Sequence, residues 1–301
     1  MAGIKELRLR IRALKNTSKI TAAMKMVSAA KLKKAQIAYM RSKPYAERMD
    51  EIARGVLGLM NVPHHPLAHH REIRKIRYVI VSSDRGLAGG FNNNLFKAFL
   101  RRPADKVGVE VLGLGRRARD TFARFLAIST VPSNDSNVPD FANAAAVARH
   151  IIGDYLDGKC DKVVLVYNSY KSALSQVPVF VQLLPFIPDV KAAKTPDLRA
   201  EADGKFVAKS DGKGFPDSYI VEPDEETLYA ELLPKWITSQ VFRAMMENAV
   251  GEHSARMMAM DNATKNTKDL IGSLTLTMNR ARQAAITREL IEIVSGAETM
   301  T

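Results

Sequence analysis

From Lys235 to Ser295 the sequence contains no proline. Met257, Met260, Thr264, Thr267, Ile271, Leu274, Met278, Ala281 and Ala285 recur in alternating steps of three and four. That is the seven-residue repeat of a coiled-coil seam. A helix over this stretch would be ~90 Å long at about 1.5 Å per residue. No small domain can bury a stripe of that length. The helix needs a partner of similar length, and only the other end of the chain offers one.

Residues from Ile4 to about Leu59 form the second long helical candidate. Ile4, Leu7, Ile11 and Leu14 keep the same spacing. The stripe then shifts to Ile20, Met24 and Val27 and weakens into Ala29, Ala30, Ala35 and Ala38. A drift of register changes the supercoil locally. Pro44 predicts a kink or short break near Ser42–Pro44, after which the helix resumes and stops before Pro63. Two terminal helices with matching repeats predict an antiparallel pair made from the ends of one chain. Beyond Ala285 the pattern changes: Ile286, Leu290, Ile291, Ile293 and Val294 surround the helix, and Arg288 and Glu292 fall on the old seam. A helix that is apolar all round must be enclosed. No other part of the chain is free to do it, so the tip predicts a partner protein.

Between the helices the period changes. Strands are expected at Ile76–Ser82, Val107–Leu112, Ile128–Val131, Val163–Tyr167 and Val177–Leu184. Helices are expected over 94–101, 116–125 and 140–156, the last with Asp140 as N-cap. The alternation predicts an open α/β (Rossmann-like) sheet with helices on its faces, the final strand lying at an edge. Residues 190–216, rich in Lys, Asp, Gly and Ala, read as a mobile excursion. Tyr219–Val221 offers a last short strand. Asp224 is placed to cap the C-terminal helix, Pro234 to kink or restart it, and Gly296 to end it. The expected division is 1–60 for the first coiled-coil helix, 61–222 for the α/β domain and 223–301 for the second helix. The fold class is α/β with an appended antiparallel coiled coil.

Charge narrows the function. The chain carries a formal +13, and residues 1–43 alone hold eight Lys and four Arg against Glu6. Such a segment should face something acidic. A nucleic acid is one candidate, making a basic coiled-coil nucleic-acid binder the alternative reading. Against it, no aromatic residue interleaves with the bases before Tyr39, and no known DNA-binding motif is present. Cys160 is the single cysteine, which excludes an internal disulfide and suggests a reducing compartment. No apolar run is long enough for a membrane span.

Chemistry-bearing motifs are few. Ser82–Asn92 follows a strand and precedes a helix, as a phosphate loop would. It has neither the G-x-G-x-x-G spacing nor the G-K-[ST] ending, and it reads as a tight strand-to-helix turn. Asp84 and Arg85 lack a His or Cys companion, which favours a salt bridge or a loop-fixing role. Cys160 reads as a small buried apolar residue. His64, His65, His69 and His70 read as a polar loop, because no Cys, Asp or Glu joins them at ligand spacing. No catalytic set, cofactor or metal is expected on this chain.

Three ordered stretches carry a family resemblance: IRALKNTSKITAAMKMVSAAKL at 11–32, SSDRGLAGGFN at 82–92 and ITRELIEIVSGA at 286–297. With them the whole chain resembles the gamma subunits of F-type ATP synthases, the central-stalk rotor. The resemblance implies a non-catalytic shaft, its tip turning in a sleeve of alpha and beta subunits. It also implies an α/β domain near the epsilon subunit and the membrane c-ring. The complex would lie peripherally, on the cytoplasmic face of a bacterial inner membrane. Met24 and Lys25 match the family's meeting point with an acidic loop of beta. Arg256, Arg280, Arg282, Gln283, Thr287 and Glu289 match its contact surface with the ring, and Leu290 and Ile291 belong to the enclosed tip. Ala88 stands where many relatives have Cys, and the cysteine-pair insertion of the chloroplast type is missing, so thiol regulation is not expected.

Overall fold

The structure is a computed structural model that describes residues 2–59, 65–68, 71–102, 107–123, 127–129, 139–187 and 224–298. His64, His69, His70, the 190–216 stretch and the short strand expected at Tyr219–Val221 lie outside them. The chain divides into two compact units: Met1–Ala29 with Arg256–Thr301, and Ala30–Ala255. Helices α1 (Ala2–Leu59) and α5 (Glu225–Glu298) contribute residues to both.

In the larger unit, β1 (Lys75–Val81), β2 (Gly108–Leu114), β3 (Ala127–Ser129), β4 (Lys162–Tyr170) and β5 (Gln176–Leu184) form one sheet in the order β3-β2-β1-β4-β5. The first four are parallel, and β5 runs antiparallel to β4 at the edge. The expected alternation of strands and helices is what folds. Helix α2 (Phe91–Arg101) starts earlier than Asn94 because the Asn94 amide already donates to Gly90 O, at 2.8 Å. Helix α3 spans Arg116–Phe122. Helix α4 (Phe141–Leu156) opens on Asp140, whose carboxylate accepts from Ala142 N as an N-cap should.

Side chains alternate across the strands, so the sheet has two buried faces. Ile76, Tyr78, Ile80, Val111, Val164 and Val166 pack with Leu95, Phe96 and Phe99 of α2 and Ala118 and Phe122 of α3. Val79, Val81, Leu112, Leu114, Val163 and Leu165 point the other way. They meet α4 together with Ala53 and Leu57 of α1 and Leu233, Trp236, Ile237 and Val241 of α5. Each large side chain buried there contributes about 1.5–3 kcal/mol. Between β1 and α4, Arg77 is buried and paired with Asp154 and, at 2.9 Å, with Glu110.

Pro44 and Pro234 interrupt neither helix: α1 runs unbroken through Ser42–Pro44 and α5 through Pro234. An interior proline costs about 3 kcal/mol, but the flanking turns are held by burial of Ala46 and Ala53, and of Leu233, Trp236 and Ile237. Gly296 does not stop α5, which continues to Glu298. Asp224 does cap its start, accepting from Thr227 N at 2.8 Å.

The turn between β2 and α3 depends on Gly115. Its φ is +94°, and a Cβ there would lie 2.3 Å from Ser82 O. Gly115→Ala is expected to destabilise the α/β domain by about 2–4 kcal/mol, read from urea unfolding followed by the emission of the single tryptophan, Trp236.

Candidate functional site

In the smaller unit the seam of α1 is a strict heptad. Ile4, Leu7, Ile11, Leu14, Ser18, Thr21, Lys25 and Ser28 are buried or half-buried. The expected shift to Ile20, Met24 and Val27 does not occur: Ile20 is 60% and Val27 56% exposed, and Met24 is half-buried. On α5, Met257, Met260, Thr264, Thr267, Ile271, Leu274, Met278, Ala281 and Ala285 form the inward stripe, as their spacing predicts.

Polar residues hold the seam on α1 because each finds a partner. The hydroxyls of Thr21 and Thr264 lie 2.7 Å apart. Thr264 Oγ1 is 2.7 Å from Met260 O and Thr21 Oγ1 is 3.1 Å from Ser18 O. A hydroxyl has one proton. Thr264 donates along the shorter backbone bond, which leaves Thr21 to donate across the seam. One turn on, Lys25 Nζ donates to Asp261 Oδ1 at 2.6 Å, and Lys265 reaches the other carboxylate oxygen at 3.0 Å. The bond from Lys25, then that from Lys265, holds the Asp261 carboxyl below its usual range.

These two rungs fix the pairing as antiparallel. Counting outward from Thr21 and Thr264, the first residue of α1, Ala2, comes level with Gln283. Past that point α5 has no further turn of α1 beside it. Ile286, Leu290, Ile291 and Ile293 are exposed there, Ile293 at 67%.

The residues singled out from the sequence fall in two zones. Arg280, Arg282, Gln283, Thr287, Glu289, Leu290 and Ile291 are exposed together at the end of α5. Met24 and Lys25 lie some five turns away on α1, with the Lys25 amine engaged by Asp261. Arg256 is buried and is not part of an exposed contact surface of this chain.

Two acids in the larger unit gave no signal as a motif. Asp50, buried, accepts from Trp236 Nε1 at 2.8 Å, Gln240 Nε2 at 3.0 Å and Arg54 Nε at 3.0 Å. Glu247, 1% exposed, accepts from Arg243 Nε at 2.9 Å, Tyr170 N of β4 at 3.1 Å and Tyr39 Oη of α1 at 3.4 Å. Burial, then the charge of Glu247, push the Tyr39 phenol above its ordinary value. Their only trace in sequence is an acid at or beside an inward position of a heptad.

The glycine-rich loop is occupied by its own side chains. Asp84 Oδ1 accepts from Arg116 N at 2.8 Å and Ser82 Oγ from Ala118 N at 2.8 Å, which takes up the donors at the start of α3. Asn92 and Ser83 bond each other across the loop. This is the loop-fixing role expected of Asp84. Burial pushes the Cys160 thiol up to about 11, so it is a packing residue with little thiolate at neutral pH. The His65 ring meets that of Tyr229 at a 46° tilt, centroids 4.6 Å apart, and its Nδ1 accepts from Leu67 N.

Comparison with known proteins agrees with this geometry. A family profile described as ATP synthase matches residues 3–300. The ATP synthase gamma chain of Trichlorobacter lovleyi is 41% identical over 304 residues, covering 100% of this chain and 99% of that one. The gamma chain of Granulibacter bethesdensis is 43% identical over 311 residues, covering 100% of both. Among solved structures, the rotor of the Euglena gracilis mitochondrial ATP synthase superposes with a TM-score of 0.65 at 21% identity, covering 95% of this chain and 99% of that one. The central stalk and c-ring structure from Tetrahymena thermophila gives a TM-score of 0.57 at 24% identity, covering 81% and 99%.

The Lys25–Asp261 rung has a defined pH signature. Because the folded pKa of Asp261 is depressed, its contribution is complete above the unfolded value of about 3.9 and is lost as pH falls through the lower folded value. Asp261→Asn is therefore expected to be less resistant to urea than the parent at pH 7. The gap between their midpoints should close below about pH 4, when helical circular dichroism is used to follow unfolding.

Proposed function

The chain belongs to the ATP synthase gamma chain family, and from that premise we propose that its paired helices are the turning shaft of a central stalk. It is a non-catalytic subunit that couples proton flow through the membrane sector to conformational change at catalytic sites on other subunits. The observation that carries this reading is the exposed apolar end of α5 beyond the last turn of α1. Exposed apolar side chains spread over two faces of one helix are stable only when covered, as inside a sleeve. A ring of alpha and beta subunits provides one.

Such a shaft works without making or breaking a bond. A ligand shifts a conformational equilibrium only through unequal affinity for the two states. A shaft with unlike sides, turned within a ring of alike subunits, presents each subunit with a different surface at each angle. Arg280, Arg282, Gln283, Thr287, Glu289, Leu290 and Ile291 form the proposed upper contact. Met24 and Lys25, on the basic N-terminal helix, face an acidic loop of beta lower down. Arg256, buried in this chain, belongs to the same ring-facing set by the family motif it matches.

The proposed organisation is a shaft of residues 1–60 and 223–301 carrying an inserted domain, 61–222. That domain meets the c-ring and the epsilon subunit. No described helix is long and apolar enough to cross a membrane, which supports a peripheral position; the bacterial relatives support the cytoplasmic face of the plasma membrane. Family membership displaces the nucleic-acid alternative. Reconstitution tests the whole reading: purified alpha and beta should give a fully coupled complex only with this chain, and a coupled complex without it would overturn the proposal.

Leu290→Asp and Ile291→Asp test the sleeve. Each places a charge where about 1.5–3 kcal/mol of apolar burial is expected. Binding to alpha and beta should weaken about tenfold or more, while the emission of Trp236 stays that of the folded domain. Unchanged assembly and coupling would count against an enclosed tip.

A further inference from the structure

Between Ser18 and Ser28, α1 offers two rival faces to its partner. One is polar: Ser18, Thr21, Lys25 and Ser28. The other is apolar, Ile20, Met24 and Val27, each one residue earlier than Thr21, Lys25 and Ser28. One residue on a helix is about 100° of rotation. Hydrophobic burial alone favours the apolar face in the seam. The structure does the opposite, burying Thr21 and Ser28 and leaving Ile20 and Val27 more than half exposed. Something must select the polar phase.

We propose that Lys25 and Asp261, helped by Thr21 and Thr264, are a positioning pair that sets the rotational phase of α1 and so keeps Ile20, Met24 and Val27 turned outward. Both rungs are polar bonds across the seam of this unit, placed to do so. They are adjacent, one turn apart. Rotating α1 by one residue would break both at once, leaving Asp261 without Lys25 and a hydroxyl of Thr264 without its cross-seam donor. It would also put Lys25 out of reach of any acid in the seam. On either side the stripe is mostly apolar, with Ile4, Leu7, Ile11 and Leu14 before it and Leu32 and Ala35 after it. Those segments keep a phase already given, whereas the middle one must choose. A polar pair at an inward heptad position gives up stability to specify a single packing. That the outward face meets the ring rests on the function proposed above; the phase-setting role does not.

The test is thiol labelling of the full-length chain carrying Val27→Cys. The native Cys160 is buried with a raised pKa and adds little background. The parent phase leaves position 27 exposed, so labelling is fast. Asp261→Lys removes the acid and sets like charges together, and labelling should slow about fivefold or more as the apolar face turns inward. Lys25→Glu combined with Asp261→Lys restores the pair with its sign reversed, and should recover most of the rate even with Lys265 nearby. Asp261→Asn gives a milder version should the reversal disturb folding, and Trp236 emission reports the folded α/β domain in each variant. An unchanged rate in Asp261→Lys and Asp261→Asn overturns the proposal, as does a slowed rate that the reversed pair does not rescue. None of these readouts involves another subunit, so failure of the rotor reading would leave them intact. If both hold, the single reversal lowers proton pumping per ATP hydrolysed in the assembled enzyme and the double reversal recovers it.

Discussion

Everything in this chain follows from the pairing of its two ends. A heptad stripe as long as that of α5 is an unsatisfied surface until a second helix lies along it. The partner is supplied by the first residues of the same polypeptide, and the rungs at Thr21–Thr264 and Lys25–Asp261 show how. The α/β domain then falls between the two helices in sequence and is built onto their remaining lengths. One face of its sheet uses Ala53, Leu57, Trp236 and Val241 from those helices as core. The exposed end of α5 has the same origin, since it is the part of the longer helix that the shorter one does not reach.

Polar groups inside the helix pairing do a different job from the apolar ones. Asp50 collects three donors from two helices, and Glu247 ties α1, α5 and the backbone of β4 to one carboxylate. Burying such groups adds little net stability, and removing a partner leaves a charge uncompensated. Their effect is to exclude other arrangements. A helix seam is periodic and nearly indifferent to register; an acid that must meet an indole N–H and a guanidinium at fixed places is not.

Much of this was legible in the sequence. The inward stripe of α5 follows its spacing at every position, with Met, Ile and Leu at five of the nine. Five of the expected strands form, with their ends shifted by up to three residues, Asp140 caps α4 and Asp84 fixes its loop. The misses have a common cause. Ile20 and Val27 were assigned to the seam of α1 because local hydrophobicity ranks them above Thr21 and Ser28. What reverses the ranking is a hydroxyl and a carboxylate more than two hundred residues away, and no local pattern contains that. Pro44 and Pro234 imply a kink, break or restart, and Gly296 a stop. Packing of the neighbouring turns keeps both helices continuous through the prolines, while for the continuation past Gly296 the structure offers no evident reason. Within the candidate site, the exposed end of α5 was foreseen from its all-round apolar pattern, whereas the engagement of Lys25 by Asp261 and the burial of Arg256 were not.

The bond between Thr21 and Thr264 joins residues 243 positions apart. A ribosome makes Thr21 well before Thr264, with the inserted sheet between them. Closing so long a loop of open chain is entropically unfavourable and slow. Folding the inserted sheet first shortens the effective loop to the span between the ends of a compact body. Synthesis therefore imposes an order in which the basic N-terminal helix waits, without its seam partner, until the inserted sheet and α5 have been made. Its many lysines and arginines keep that waiting helix soluble, and the seam pairing can form only after every element of the sheet has been made.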